Sequence, residues 1–259
     1  MSAKEIIVKP ISSQDAARIV KACHYSGKVV QNSQIHFGVF LNGKCGGAMQ
    51  FGPSLDKRKM LGIVKGTGWN NFIELNRMAF SDWLPRNSES RAISVAMKLI
   101  RKSYPHIEWV VSFADGTQCG DGTIYRASGF VLTKITKNST LWEFEDGERV
   151  SDIAIKTGHD FQKRKFRQVL YGQSGLQKAR EIGAKPIPGF QLRYIYFLNP
   201  DARSRLTVPV LPFSEIDRRG AGMYLGKPKR AGGDTSDTPA FQAGEGGSLP
   251  TPALHSQAV

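Results

Sequence analysis

Apolar positions along the first 150 residues recur with two periods, two and 3.6, and each switch of period marks a new element. Residues 5–11 read as a strand. Ser12 or Ser13 followed by Asp15 is the N-cap signature of a helix that buries Ala16, Ile19, Val20 and Cys23 and stops near Gly27. His24 and Tyr25 fall at its C-terminal end, where a cation is favoured, so by position alone His24 also reads as a surface residue offsetting the helix dipole. Two apolar runs, 35–41 and 44–51, are joined by Asn42-Gly43 and predict a hairpin with a type I′ turn. Gly46-Gly47 inside the second run predicts a bulge or a close backbone approach. Residues 52–70, rich in Gly and Lys, read as a loop with the basic cluster Lys57-Arg58-Lys59, and residues 72–80 resume as a strand.

Strict alternation along that strand puts Ile73, Leu75, Arg77 and Ala79 on one face and Glu74, Asn76, Met78 and Phe80 on the other. An arginine among apolar neighbours on a central strand needs a carboxylate or an anionic ligand, so Arg77 is either a structural ion-pair partner, with Asp115 as the candidate acid, or a substrate anchor. Residues 88–104 make the clearest helix, with Ala92, Ile93, Ala96, Met97 and Ile100 at helical spacing and Pro105 closing it. The strand that follows ends near Phe113, leaving Asp115 at its carboxyl end. A run containing Gly116, Gly120 and Gly122 then leads into a short helix that carries Tyr125 and ends at Gly129. Ligands bind at strand carboxyl ends in open sheets, which makes Asp115 and Tyr125 candidate site residues; as a plain turn, Asp115 would cap and Tyr125 would pack. Residues 130–135 and 141–145 read as a strand pair across Lys137-Asn138-Ser139. The order strand, helix, hairpin, strand, helix, strand, helix, hairpin predicts an α/β fold, one mixed sheet with helices on both faces.

Charge extends this picture. The 259 residues carry a net charge of +14. Residues 1–150 hold 20 Lys+Arg against 13 Asp+Glu, residues 151–230 hold 16 against 6, and residues 231–259 hold none against 3. The middle segment is therefore the expected polyanion-facing surface. Within it Asp160 caps an expected helix that ends at Gly172 and presents Lys163, Arg164, Lys165 and Arg167, the candidate DNA-binding residues. A short helix is expected over 174–182. Residues 190–198 form an apolar-aromatic strand that extends the sheet rather than stacking bases, since its aromatics point both ways. Residues 231–259, rich in Gly, Ser, Thr and Pro, read as a disordered tail. The expected organisation is a core over 1–150, a basic extension packing on it over 151–230, and the tail. Cys23, Cys45 and Cys119 form no CxxC pair, which argues against a zinc cage or a disulfide framework. No run is long and apolar enough to span a membrane and the start is no signal peptide, so a soluble intracellular protein is expected.

The element order resembles the GNAT acyltransferase superfamily, and Tyr125-Arg126-Ala127-Ser128-Gly129-Phe130 is similar to its helix-to-strand junction, where a tyrosine often serves as general acid. The stretch from Arg77 to Ser88, where that superfamily carries a glycine-rich pyrophosphate loop, has no glycine, so acyl-CoA is not the expected cofactor. With His24-Tyr25, the Leu75-Asn76-Arg77 strand, and Asp115 followed ten residues on by Tyr125, the chain resembles the Mom family of phage DNA-modification proteins over roughly residues 12–200. That resemblance implies a transferase that converts adenine in double-stranded DNA to a carbamoylmethyl form on its exocyclic amine, protecting phage DNA from restriction in the bacterial host cytoplasm. It implies His24, Tyr25, Arg77, Asp115 and Tyr125 as catalytic residues and iron as the metal, with His24 and Asp115 as ligands and Tyr25 or Tyr125 as a further ligand or proton donor. A small-molecule group donor is implied without its identity. Two other readings stay open on the residues: an N-acyltransferase of the GNAT type using acyl-CoA, and a nucleic-acid-binding protein without catalysis.

Overall fold

The Ser12 hydroxyl accepts the Asp15 amide and donates to the Asp15 carboxylate, and this reciprocal cap fixes the start of helix α1 (Ser13–Cys23). In the computed structural model, residues 2–24, 26–117, 120–151, 155, 175–224 and 227–228 are described. Eight strands form one sheet: β1 (Ile7–Pro10), β2 (Ile35–Leu41), β3 (Lys44–Gly52), β4 (Phe72–Phe80), β5 (Trp109–Asp115), β6 (Val131–Glu143), β7 (Arg149–Ser151) and β8 (Lys185–Phe197), in the order β1-β2-β3-β4-β5-β8-β6-β7. All pairings are antiparallel except β4 with β5. Short helix α2 (Lys57–Leu61), capped by Asp56, lies within the span the sequence reads as loop. Helix α3 (Ser88–Ser103) covers one face of the sheet and α1 covers β2, β3 and β4 on the other, the mixed sheet with helices on both faces that the element order predicts. Short helix α4 (Thr123–Ala127) follows β5, and α5 (Gly175–Glu181) precedes β8.

The core divides by face. Ile93, Ala96, Met97 and Ile100 of α3 pack on Phe37, Val39, Met49, Phe51, Ile73, Leu75 and Val110. On the opposite face Ala16, Ile19 and Val20 of α1 pack on Ala48 and Ala79, while Ile63 and Val64 cover Phe72, Trp109, Val111 and Ile195. Among the described residues no helix is long and apolar enough to cross a membrane.

Three expectations change. The strand pair predicted across Lys137-Asn138-Ser139 is one continuous strand, β6. Lys137 and Asn138 pair with Phe190 and Gly189 of β8, the register shifts only between Asn138 and Leu141, and the chain reverses instead at Gly147, whose φ of 81° suits glycine. The strand predicted over 190–198 starts earlier and sits inside the sheet, between β5 and β6. Strict alternation along β4 fails at Asn76, with consequences for the site. The predicted Asp160-capped helix with Lys163, Arg164, Lys165 and Arg167, the tail 231–259, and Tyr25 lie outside the described residues.

Candidate functional site

Two bulges set the register of the site. Asn42-Gly43 makes the expected tight turn, pairing Leu41 with Lys44, and then the β2–β3 ladder shifts after Phe40 so that Val39 meets Gly47. Gly46 is the extra residue; a Cβ there would sit 2.4 Å from the Trp83 ring. The second shift lies between Gln50 paired with Arg77 and Phe51 paired with Leu75, so Asn76 is the extra residue in β4. Its side chain is buried, donating to the Pro53 carbonyl at 3.2 Å and accepting from the Ser33 hydroxyl at 3.0 Å. Beyond the bulge Met78 and Phe80 join Ile73 and Leu75 under α3, whereas Ala79 packs beneath α1. Arg77 therefore shares the α1 face with Glu74, not the face of Ile73 and Leu75 as alternation predicts.

Register then lines up His36, Gln50 and Arg77 across β2, β3 and β4. Gln50 is fully buried, and among the described residues neither its Oε1 nor the buried Oε2 of Glu74 has a hydrogen-bond partner. Glu74 faces Ser54, Asn76, the Leu55 amide and Arg77; burial pushes its carboxyl up despite the opposing pull of those groups. The Arg77 guanidinium donates to the Lys28 carbonyl at 3.0 Å and to the Asn76 carbonyl at 2.7 Å. It thus ties the segment after α1 onto β4 rather than pairing with Asp115, the acid the sequence offered.

His24 caps α1 through its own amide, which donates to the Val20 carbonyl, and its imidazole turns inward. Nδ1 accepts the Ser26 amide at 3.1 Å and lies 2.8 Å from the Ser26 hydroxyl. Burial, reinforced by the nearby Arg77 charge, lowers the imidazole to about 4. A half-buried ring held neutral has no charge with which to offset the helix dipole.

Asp115 closes β5, and its Oδ1 accepts the Thr117 amide at 3.0 Å, a turn that bends the chain off the strand. Parallel pairing of β4 with β5 runs only from Phe72–Glu74 to Trp109–Val111, so beyond Val111 the two strands have no shared ladder. Register and alternation put Phe113 and Asp115 on the same face as Glu74 and Arg77, across that unpaired stretch. Tyr125 is buried on the α3 side, its ring 5.4 Å from Phe130 and 5.2 Å from Tyr194. Gly122 makes room for it: φ is 77°, and a Cβ would fall 2.6 Å from the Tyr194 ring and 3.0 Å from that of Tyr125. Arg126 and Asp121 brace the turn with an ion pair at 3.2 Å.

The structure thus sets His24 beside Arg77, places Asp115 on the same sheet face, and seats the Tyr125 ring in the core. Sequence reasoning missed His36, Gln50, Glu74 and Asn76 as members of this polar row; only the bulges bring them into register. Among the described residues no three of His, Cys, Asp and Glu come together as a metal-ligand group. Among the described residues His24 and Asp115 alone supply too few donors for an iron ion.

A model of the Mom protein family matches residues 5–215. The chain is 41% identical over 208 residues to the methylcarbamoylase Mom of Escherichia phage Mu, a match that spans 78% of this chain and 80% of that protein. Similar solved structures include the ribosomal-protein-S18-alanine N-acetyltransferase of Escherichia coli, 10% identical with a TM-score of 0.41, covering 75% of this chain and 94% of that one. An IAA acetyltransferase of Bacillus cereus is 8% identical with a TM-score of 0.40, covering 74% and 99%. Likenesses this loose carry no weight for the site.

Proposed function

Because the chain belongs to the Mom protein family, we propose that it is a DNA-modifying transferase that places a carbamoylmethyl group on the exocyclic amine of adenine in duplex DNA and so shields phage DNA from restriction. The observation that supports this reading most is the 41% identity, across 208 residues, to a protein named for methylcarbamoyl chemistry.

Adenine N6 is enclosed in the base stack, so the target base must turn out of the duplex before any side chain reaches it. In this reading it enters beside Asp115, while Lys163, Arg164, Lys165 and Arg167 hold flanking phosphates and position the duplex without reading its sequence. The N6 lone pair is delocalised into the purine ring, which makes the amine a poor nucleophile that must shed a proton as the new N–C bond forms. In this reading the Asp115 carboxylate, at the end of β5, accepts that proton. His24 then acts as a fixed neutral hydrogen-bonding group against the base. Arg77 orients the oxygen of the incoming group, and the Tyr125 hydroxyl protonates the donor's leaving group as it departs with the bonding electrons.

The reading is tested by plasmid recovered from cells expressing the chain. It should resist endonucleases that contact adenine N6 in their recognition sites, and plasmid from the Asp115→Asn variant should be cut. Complete cutting of the plasmid made with soluble wild-type protein would defeat the proposal.

A further inference from the structure

Arg193 lies on β8, in the middle of the sheet, and only 8% of it is exposed. Its Nε donates to the Thr133 hydroxyl at 2.9 Å, and that hydroxyl donates in turn to the Arg193 carbonyl at 3.2 Å. Thr133 is the extra residue of a further irregularity, where the β6–β8 register moves from Leu132 opposite Tyr194 to Lys134 opposite Arg193. No ion pair joins Arg193 to a carboxylate among the described residues. Burial lowers its ionisation. A guanidinium covered to this degree is strongly disfavoured unless an anion shares its environment.

The surroundings indicate where that anion comes from. Arg193 is in register with Phe113, and Gln191, two residues away, is in register with Asp115, so all four share the α1 face. Lys134 brings a second, exposed cation to the same place. The apolar cover of Ile63, Val64 and Leu206 lies over Trp109, Val111 and Ile195, and Phe113, in register with Arg193, packs against that cluster. Asp115 is the nearest acid by register, and its Oδ1 already accepts the Thr117 amide.

We propose that Arg193 is the anchor of an oxyanion subsite, taking a carboxylate or phosphate of a small-molecule co-substrate through the two terminal nitrogens of its fork, with Lys134 as the outer cation. The planar fork matches both oxyanions bidentately. A small molecule, unlike a phosphate on the outside of a stiff duplex, reaches a group covered to this degree in the middle of a sheet. Within the DNA-modification reading this makes the anion part of the group donor, held about one strand from Asp115; the subsite itself does not depend on that reading.

The test compares wild-type protein with Arg193→Met and Arg193→Lys. Melting temperature is followed against malonate and against inorganic phosphate, each at fixed ionic strength with chloride as control. Wild type should gain stability saturably with one of the two anions, which identifies the oxyanion as carboxylate or phosphate, and Arg193→Met should not respond. Without added anion Arg193→Met should melt higher than wild type, by about 2–4 °C, because an uncompensated buried charge has been removed. Arg193→Lys should keep a weaker response. DNA modification in cells should fall at least about a hundredfold in Arg193→Met, the scale of a lost charge-assisted anchor. The proposal is overturned if wild type responds to neither anion beyond chloride, if Arg193→Met responds equally, or if Arg193→Met melts lower, as it would for an arginine that only braces the fold. Should wild type bind the anion yet leave DNA unmodified, the subsite stands and the DNA reading falls.

Discussion

The Arg77 guanidinium reaches His24 from the far side of a β-bulge, and its charge adds to burial in keeping the imidazole neutral. The consequence is a pH dependence of known sign. With a folded value of about 4 against 6.5 unfolded, the unfolded chain binds more protons between those limits. Stability contributed by the neutral ring is complete above pH 6.5 and is lost as pH falls toward 4, by up to about 3 kcal/mol. Urea midpoints at pH 4.5 and 7.5 should differ more in wild type than in His24→Asn; equal differences would contradict the assignment.

Arg77→Ala should act on His24 as well as on the fold. The variant loses the bonds to the Lys28 and Asn76 carbonyls, for a destabilisation of about 2–4 kcal/mol. A proton NMR titration should find the His24 value raised yet still below 6.5, because burial is the larger cause. A value that does not move would remove Arg77 from the electrostatics of the site.

Gly122→Ala should unseat Tyr125. The added methyl meets the Tyr194 and Tyr125 rings at a left-handed backbone position, and the strain should exceed about 2 kcal/mol. Urea denaturation reads the loss directly, and an unchanged midpoint would mean the two rings give way freely.

Tyr125→Phe and Asp115→Asn separate chemistry from packing. Phenylalanine keeps the ring contacts with Phe130 and Tyr194, and asparagine keeps an oxygen for the Thr117 amide, so stability should change by less than about 1 kcal/mol. Modification should fall about 10²- to 10⁴-fold in each, the range for a lost general acid or base. Full activity in either variant would strike that residue from the mechanism.

Replacing Lys163, Arg164, Lys165 and Arg167 together by alanine should weaken duplex binding irrespective of sequence. It should also reduce the slope of log K against log salt by about 3 to 4. Binding isotherms at several salt concentrations measure this, and an unaltered slope would move the phosphate contacts elsewhere.

The candidate site was legible in part, and the boundary follows physical lines. Ser12 and Asp15, the Asn42-Gly43 turn and the apolar stripe of α3 are local signals, and each element forms where they place it. His24, Arg77 and Asp115 stand out because a cation or an acid among apolar neighbours demands a partner. Their mutual arrangement depends on single extra residues. The tight turn alone would set His36 opposite Met49; the extra Gly46 sets it opposite Gln50, and the extra Asn76 turns Arg77 to the α1 face. Alternation has no term for such a residue. Nor does element order place β8 between β5 and β6, so nothing in the sequence marks Arg193 as lying in the middle of the sheet. Lys137-Asn138-Ser139 looked like a turn from its polarity, yet β8 supplies enough partners to hold that stretch in a strand.

The most direct measurement is mass spectrometry of nucleosides digested from plasmid DNA of bacteria that express this chain. A deoxyadenosine species heavier by one carbamoylmethyl group is the expected result, absent from the Asp115→Asn control. Deoxyadenosine of unaltered mass throughout, from cells holding soluble wild-type protein, would contradict the account.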